Sequence, residues 1–282
     1  MNILITGATG FLGRHICQES ERQHHQVMCL KHAEIGNSAH LVREFAPDVL
    51  VHCAWGGVSA ADRNNPQLQK ANVEMSEEVF NLYPYRQIIA LGSQDEYGVI
   101  DGIVGEGHPL SPVSEYAKAK IQLCHYLQQI ASTRPLEWQW LRIFNMYGRH
   151  QQANWLIPSI VKKCLDGEHA MDTTLGEQQY AYLYAEDFAR AVTSIFGSTG
   201  KSGIYNISSS TPLPLRDIFL LIRQLTNANI EFSFGAIPYR DNQSMMICGN
   251  SEKFAKAFGT FETTPFEKGL SIIINDYKQQ QQ

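Results

Sequence analysis
The sequence is poor in several features, and each shortage narrows what the protein does. Its six cysteines stand at 17, 29, 53, 124, 164 and 248, with no CxxC and no histidines clustered at ligand spacing. A disulfide framework or a zinc site is therefore not expected, and reduced, mostly buried thiols in a cytosolic protein are. No apolar stretch approaches the roughly twenty residues that cross a bilayer. The chain runs straight into Asn2-Ile3-Leu4-Ile5-Thr6, without the charged region and apolar core of a secretion signal. The expectation is a soluble, cytoplasmic protein with no membrane partner. An excess of one charge is missing too: 23 Lys and Arg against 28 Asp and Glu give a net charge of −5. That balance offers no broad footprint for nucleic acid. There is no repeat and no long Pro/Ser linker to separate independent domains.

Apolar residues are plentiful: 44% are hydrophobic and only 18% charged, enough for a substantial core. In the first half, short β-type runs alternate with helical stretches. The strands expected are Asn2–Thr6, Gln26–Leu30, Val49–Cys53, Arg86–Leu91 and Trp138–Arg142. The helices expected are Leu12–Gln23, Ser38–Phe45, Pro66–Leu82 and Ser114–Ala131. This alternation predicts an α/β fold, a Rossmann-type doubly wound parallel sheet covered on both faces. After Gly148 the rhythm changes. Ile157–Leu165, Glu186–Phe196 and Leu215–Leu225 read as helices, Gly203–Ile207 as a strand, and the tail as amphipathic. We read residues 1–148, with 178–206 returning, as a dinucleotide-binding domain. Residues 149–177 and 207–282 form a smaller C-terminal, substrate-binding lobe in this reading.

The first strand is followed by Gly7-Ala8-Thr9-Gly10-Phe11-Leu12-Gly13 and then a helix. Glycines there allow a tight turn, close approach of backbone to a pyrophosphate, and close helix–strand packing, while the helix N-terminus offers free N–H groups. The spacing is GxxGxxG, and its place between strand and helix makes it a dinucleotide loop. In an NAD site the second strand ends in an acid that binds the ribose 2′-OH. Here it ends in Lys31-His32, and Arg14 follows the last loop glycine. Two cations where a carboxylate belongs favour a 2′-phosphate, hence NADP(H), with NAD(H) possible if they are merely solvated.

Tyr116 and Lys120 stand at i and i+4 at the start of a helix, one turn apart on one face. An ammonium there lowers the phenol's pKa from its reference of about 10 and fits it for proton transfer. Ser93 lies just past the fourth strand, where ligands bind in a doubly wound sheet, and its hydroxyl suits a carbonyl or alkoxide oxygen. Alternatively Ser93 only caps a turn, and the Tyr/Lys spacing is fortuitous. Tyr97 is read equally as pocket wall or core.

With these residues in place the chain resembles the extended short-chain dehydrogenase/reductases acting on nucleotide sugars. The matching motifs are TGATGFLG (6–13), VLVHCAWGG (49–57), LGSQDEYG (91–98), YAKAK (116–120), LRIFNMYG (141–148), NWLIP (154–158) and GIYNISS (203–209). The resemblance implies catalysis by Ser93, Tyr116 and Lys120. It implies dinucleotide contacts at Gly7, Thr9, Gly10, Phe11, Leu12, Gly13, Arg14, Lys31, Ile35, Ala54, Trp55, Asn72 and Ile143, besides Tyr116 and Lys120. It places Ser93, Gln94, Asn145, Trp155, Leu156 and Arg240 against the nucleotide sugar. Three departures stand out: Lys31 in place of the acid, Tyr180 where an arginine often stands, and Gln94-Asp95 where 4,6-dehydratases carry Asp-Glu. The last argues against dehydration. In its short length, HCAWGG, Asp62-Arg63-Asn64 and GSQDEYG, the chain resembles 4-ketoreductases of the CDP-abequose and dTDP-6-deoxy-sugar type, which serve lipopolysaccharide O-antigen precursors. The function implied is NAD(P)H-dependent reduction of a nucleotide-diphospho-4-keto-6-deoxyhexose. The alternatives are an NAD-dependent 4-epimerase and a non-catalytic NAD(P)-binding sensor. A homodimer through Pro66–Leu82 and Ser114–Ala131 is expected from the same resemblance.

Overall fold
The computed structural model describes residues 1–280 except 32, 33, 35–37, 60 and 242. Six strands form a wholly parallel sheet: β1 (Asn2–Thr6), β2 (Gln26–Leu30), β3 (Val49–His52), β4 (Gln87–Ser93), β6 (Glu137–Ile143) and β10 (Gly203–Ile207). Their order across the sheet is β10-β6-β4-β3-β1-β2. The chain leaves β1 for β2 on one side and returns to β3 on the other, so the strand order reverses at β1. The crevice at the carboxyl ends of β1 and β3 is where such a sheet binds ligands. The doubly wound sheet read from the sequence is thus present, with most element ends within two residues of expectation.

Strands covered on both faces need apolar side chains at successive positions. Ile3 and Ile5 point into one core while Leu4, between them, points into the other; Val49, Val51 and Leu50 divide in the same way. The first core is closed by α1 (Phe11–Arg22), α6 (Ala185–Ser194) and α8 (Glu252–Phe258), through Ile16, Phe188 and Phe254. The second is closed by α2 (Ala39–Phe45), α3 (Pro66–Asn81) and α4 (Glu115–Thr133), through Val42, Phe80 and Leu123. Capping sets where the helices start. Asn65 accepts from the Leu68 N–H at 3.1 Å with Pro66 in the first turn of α3, and Ser114 accepts from the Ala117 N–H at 3.1 Å to open α4.

A second sheet has the order β11-β9-β13-β5, built from β5 (Gly102–Val104), β9 (Gln179–Tyr184), β11 (Pro212–Pro214) and β13 (Met246–Gly249), with β7 (Asn145–Tyr147) alongside β9. β8 (Ala170–Thr173) pairs with β12 (Glu231–Phe234). α5 (Leu156–Leu165), α7 (Leu215–Thr226) and α9 (Phe266–Gln280) share a third core with Tyr147 and Tyr184. The segments interleave. Within 178–206, β9 belongs to the second sheet while α6 and β10 serve the first. Phe254 and Phe261, far along the chain, pack into the first core. None of the described helices is long and apolar enough to cross a membrane.

Candidate active site
A cleft of about 600 Å³ opens at the strand-order reversal, between the carboxyl ends of the main sheet and α5 with β9. Its floor is the glycine loop. Gly7 has φ +69°, a left-handed conformation, and an added Cβ would stand 2.7 Å from the Ala54 nitrogen, so β1 and β3 meet there without room for a side chain. A Cβ at Gly13 would stand 2.2 Å from the Gly7 carbonyl oxygen. Among the described residues no side chain caps α1, whose first-turn N–H groups face the cleft beside Thr9, Phe11 and Leu12. These features fit the pyrophosphate of a dinucleotide. Arg14 lines the same end, its Nε donating to the Thr9 carbonyl at 2.8 Å.

Other expected dinucleotide contacts are placed differently. Lys31 is exposed and lies outside the cleft. Its N–H donates to Glu34 at 3.1 Å and its Nζ stands 4.0 Å from that carboxylate, so only one of the two expected cations lines the site. Asn72 is buried on α3 and clamps the loop after β3, accepting from the Gly56 N–H and donating to the Gly56 carbonyl, both at 2.9 Å. Its polar atoms are spent on shaping the wall. Ala54 is buried beneath Gly7. Ile35 lies outside the described residues. Trp55 and Ile143 do line the cleft.

The three expected catalytic side chains converge. Ser93 ends β4; its hydroxyl accepts from the Asp95 N–H at 3.1 Å and acts on the Tyr116 phenol in the direction that favours its ionised form. The turn-capping and catalytic readings of Ser93 are thus compatible. Glu96, fully buried, holds this turn. It accepts from the Ser93 N–H at 2.9 Å, from Trp140 Nε1 at 2.9 Å and from Arg142 Nε at 2.7 Å. Lys120 is buried one turn from Tyr116. Its ammonium donates to the Leu91 carbonyl at 2.8 Å and lies 3.6 Å from the centre of the Trp55 ring, a cation–π contact. Gln69 fixes that indole by accepting from Nε1 at 2.9 Å.

The electrostatics depart from expectation. The phenol of Tyr116 is pushed up to about 12, first by burial and then by the charge of Asp95, against weaker help from Ser93 and Arg63. Burial also pushes Lys120 down to about 7. The net lowering of Tyr116 anticipated from Lys120 is outweighed by burial; the ammonium stands 5.7 Å from the phenol ring centre and donates to Leu91.

Arg63 and Asp95 were not singled out by spacing, yet both line the cleft. Arg63 pairs with Asp95, donates from Nε to the Val58 carbonyl at 3.0 Å, and sits 5.1 Å from the Tyr116 ring centre. A lone cation in the loop after β3 was the available signal, since that loop opens at the ligand-binding edge. On the sugar side, Gln94, Asn145, Trp155 and Leu156 line the wall together with Tyr182 of β9. Gln94 Oε1 and Asn145 Nδ2 are buried with no hydrogen-bond partner among the described residues. Buried polar atoms left unpaired are costly, and a hydroxyl-rich ligand would satisfy them. Arg240 is exposed and does not line the cleft; its charge acts on Tyr180, next to Tyr182. Tyr97 is fully buried, donating to Asn206 at 2.7 Å, and is core.

Comparison with known proteins identifies the family and the fold. Residues 3–208 match the NAD dependent epimerase/dehydratase family. The chain is 26% identical over 270 residues to dTDP-6-deoxy-L-talose 4-dehydrogenase (NAD(+)) of Aggregatibacter actinomycetemcomitans, covering 88% of this chain and 99% of that one. It is 21% identical to CDP-abequose synthase of Salmonella muenchen, covering 97% of each. Among solved structures, the UDP-glucose 4-epimerase of Thermotoga maritima with UDP-glucose superposes with a TM-score of 0.89 at 20% identity, over 100% of both chains. Several other structures of this fold hold NAD.

Proposed function
The chain belongs to the NAD-dependent epimerase/dehydratase family, and from that premise we propose that it reduces the C4 ketone of a nucleotide-diphospho-4-keto-6-deoxyhexose. The observation that carries the reading is the convergence of Ser93, Tyr116 and Lys120 on one wall of the cleft, with Gln94 beside them where a dehydratase would need an acid. Relatives named for a 6-deoxy-L-talose 4-dehydrogenase and an abequose synthase support the sugar class. A nicotinamide dinucleotide held by the glycine loop, Arg14 and Lys120 would supply the hydride.

The protein's own contribution is positioning and proton transfer. Ser93 donates a hydrogen bond to the C4 oxygen as negative charge builds there. Tyr116, protonated throughout the neutral range, gives its proton to that oxygen. Lys120 stabilises the phenolate left behind. Gln94 and Asn145 orient the hexose through their unspent polar atoms. The same reading has residues 149–177 and much of 207–282 forming the sugar-nucleotide lobe, and two copies pairing through α3 and α4, which light scattering of the purified protein checks.

A second reading, 4-epimerisation with retained NAD, is favoured by one observation: Glu34 holds Lys31 outside the cleft, which leaves Arg14 alone to greet a 2′-phosphate. One experiment separates the two. Freshly purified protein is denatured and the supernatant examined for dinucleotide, and refilled protein is then assayed with NADPH and a dTDP- or CDP-4-keto-6-deoxyhexose. The reductase reading expects little retained cofactor and consumption of NADPH equal to the sugar reduced. Stoichiometric NAD with interconversion of UDP-glucose and UDP-galactose would replace it with the epimerase.

A further inference from the structure
Away from the reacting groups, two thiols lie together where α1, whose first turn lines the cleft, packs on the edge strand β2. Cys17 is on α1 and Cys29 on β2, with their sulfurs 3.3 Å apart. We propose that Cys17 and Cys29 form a reversible disulfide that locks α1 to β2 and couples cofactor choice to thiol oxidation.

The placement suits that role. β2 is the edge strand of the main sheet, and Cys29 is exposed on it, so an oxidant reaches it without unfolding. Cys17 is buried in the core that also receives Val27, and strand alternation puts Val27, Cys29 and Lys31 on that same face. A disulfide needs about 2.05 Å between sulfurs, so closure asks for a movement on the order of 1 Å, within what two side chains supply. Cys124, Cys164 and Cys248 are buried and Cys53 is half-buried, which leaves Cys29 as the accessible thiol. The hydrogen bond between the two thiols holds the exposed Cys29 below the ordinary thiol range and the buried Cys17 above it, so Cys29 supplies the attacking thiolate.

With a small-molecule disulfide as oxidant, the steps balance. The Cys29 thiolate attacks one sulfur, breaking its S–S bond and expelling one small thiolate. Once Cys29 is a mixed disulfide, its hold on the Cys17 proton ends. Cys17 loses that proton to solvent and attacks the Cys29 sulfur, expelling the second small thiolate. Two protein thiols are oxidised and one small disulfide is reduced to two thiols.

The lock falls three residues after Arg14 and two before Lys31. Both cations reach a 2′-phosphate only if Lys31 swings from Glu34 to join Arg14. Fixing β2 to α1 resists that movement, whereas NADH makes no such demand. This coupling rests on the NADP(H) reading above; the disulfide itself does not.

The test uses reduced full-length protein titrated with oxidised glutathione, with intact mass, peptide mapping and dinucleotide binding read in parallel. The expected product has lost two hydrogens, maps to a Cys17–Cys29 peptide, and returns to the thiol form with dithiothreitol. Cys17→Ser should stop at one stable glutathione adduct on Cys29, and Cys29→Ser should leave Cys17 unmodified. A persistent single adduct on the unsubstituted chain, no reaction at Cys29, or pairing of Cys17 with Cys53 overturns the site. Oxidation should shift the ratio of NADPH to NADH affinity toward NADH by at least about fivefold, the low end of couplings between linked sites. An unchanged ratio on protein that does carry the disulfide overturns the coupling alone.

Discussion

In the proposed reduction Tyr116 is an acid that its surroundings have made reluctant. Burial and the charge of Asp95 push the phenol up to about 12, so under that proposal it would meet the ketone with its proton in place. Its cost is a phenolate that needs a cation nearby once the proton has gone. Tyr116→Phe should therefore lower kcat by about 10²–10⁴-fold, the usual worth of a positioned acid. Dinucleotide affinity, read by fluorescence titration, should stay close to the parent's; unaltered turnover in that variant would remove Tyr116 from the chemistry and favour a sensor. Lys120 gives the pH dependence. A lysine is charged below its pKa, and burial has brought this one to about 7. As the phenol does not titrate nearby, kcat/KM for ketone reduction should fall as pH rises through about 7, because that parameter reports groups of the free enzyme. Lys120→Met should be slower and show no such fall. The same shift acts on stability with a fixed sign. Unfolded lysine keeps its proton to about 10.4, so the unfolded chain holds more protons between pH 7 and that value. This residue's contribution to stability grows as pH rises across that window and is lost as pH falls back through 7.

At the scale of elements, the end of β4 and the turn after it are held by a buried ion pair. Arg142, on neighbouring β6, and Glu96 are both almost wholly buried. Such a pair adds little net stability over an apolar pair of its size, but removing one partner strands the other charge at a cost of about 3–5 kcal/mol. Arg142→Met should show that loss as a lower urea midpoint with an unchanged slope. Adding Glu96→Gln should recover more than half of it, since one amide oxygen still accepts from the Ser93 N–H and Trp140. No recovery would mean that Arg142 acts through Tyr97, to which it donates at 3.0 Å, instead of through Glu96. This network was hidden in the sequence: Glu96 and Arg142 are 46 residues apart, and nothing local marks them as partners. The elements themselves were legible where burial on both faces imposes unbroken apolar runs, as in Ile3–Ile5, Val49–Val51 and Ile88–Leu91. They were less legible in the second sheet. β5, β7 and β11 are three residues long, too short for a period to register, and β9 alternates tyrosines that read as surface or core depending on a sheet not yet known.

Over the whole molecule, the first 150 residues announce a dinucleotide site through local chemistry, a strand, a glycine turn and a helix N-terminus within 22 residues of one another. The opposite wall depends on where distant segments return, so Gln94 and Asn145 came from resemblance, while Arg240, in a connecting segment with no periodic signal, was placed in a site it does not line. Long-range return also governs how the protein unfolds. Phe254 and Phe261 complete the core beneath α1 and α6, and Leu270, Ile273 and Ile274 complete the core of α5 and α7. Asp187, fully buried at the start of α6, accepts from the Thr264 N–H at 3.0 Å and its hydroxyl at 3.0 Å, pinning the C-terminal stretch to the first layer. Deleting residues 252–282 thus opens two cores and leaves a buried carboxylate short of its partners. At about 2–5 kcal/mol per large apolar side chain removed, losing all five matches or exceeds the roughly 5–15 kcal/mol that holds a typical protein folded. The truncated chain should be insoluble or lack native near-ultraviolet circular dichroism. The full chain should unfold in urea as one transition, with tryptophan fluorescence and far-ultraviolet circular dichroism giving the same midpoint. Two separated transitions, or a soluble truncated chain that still binds dinucleotide, would show instead that the first sheet folds without the returning segments, and that the cleft lies between two independent halves.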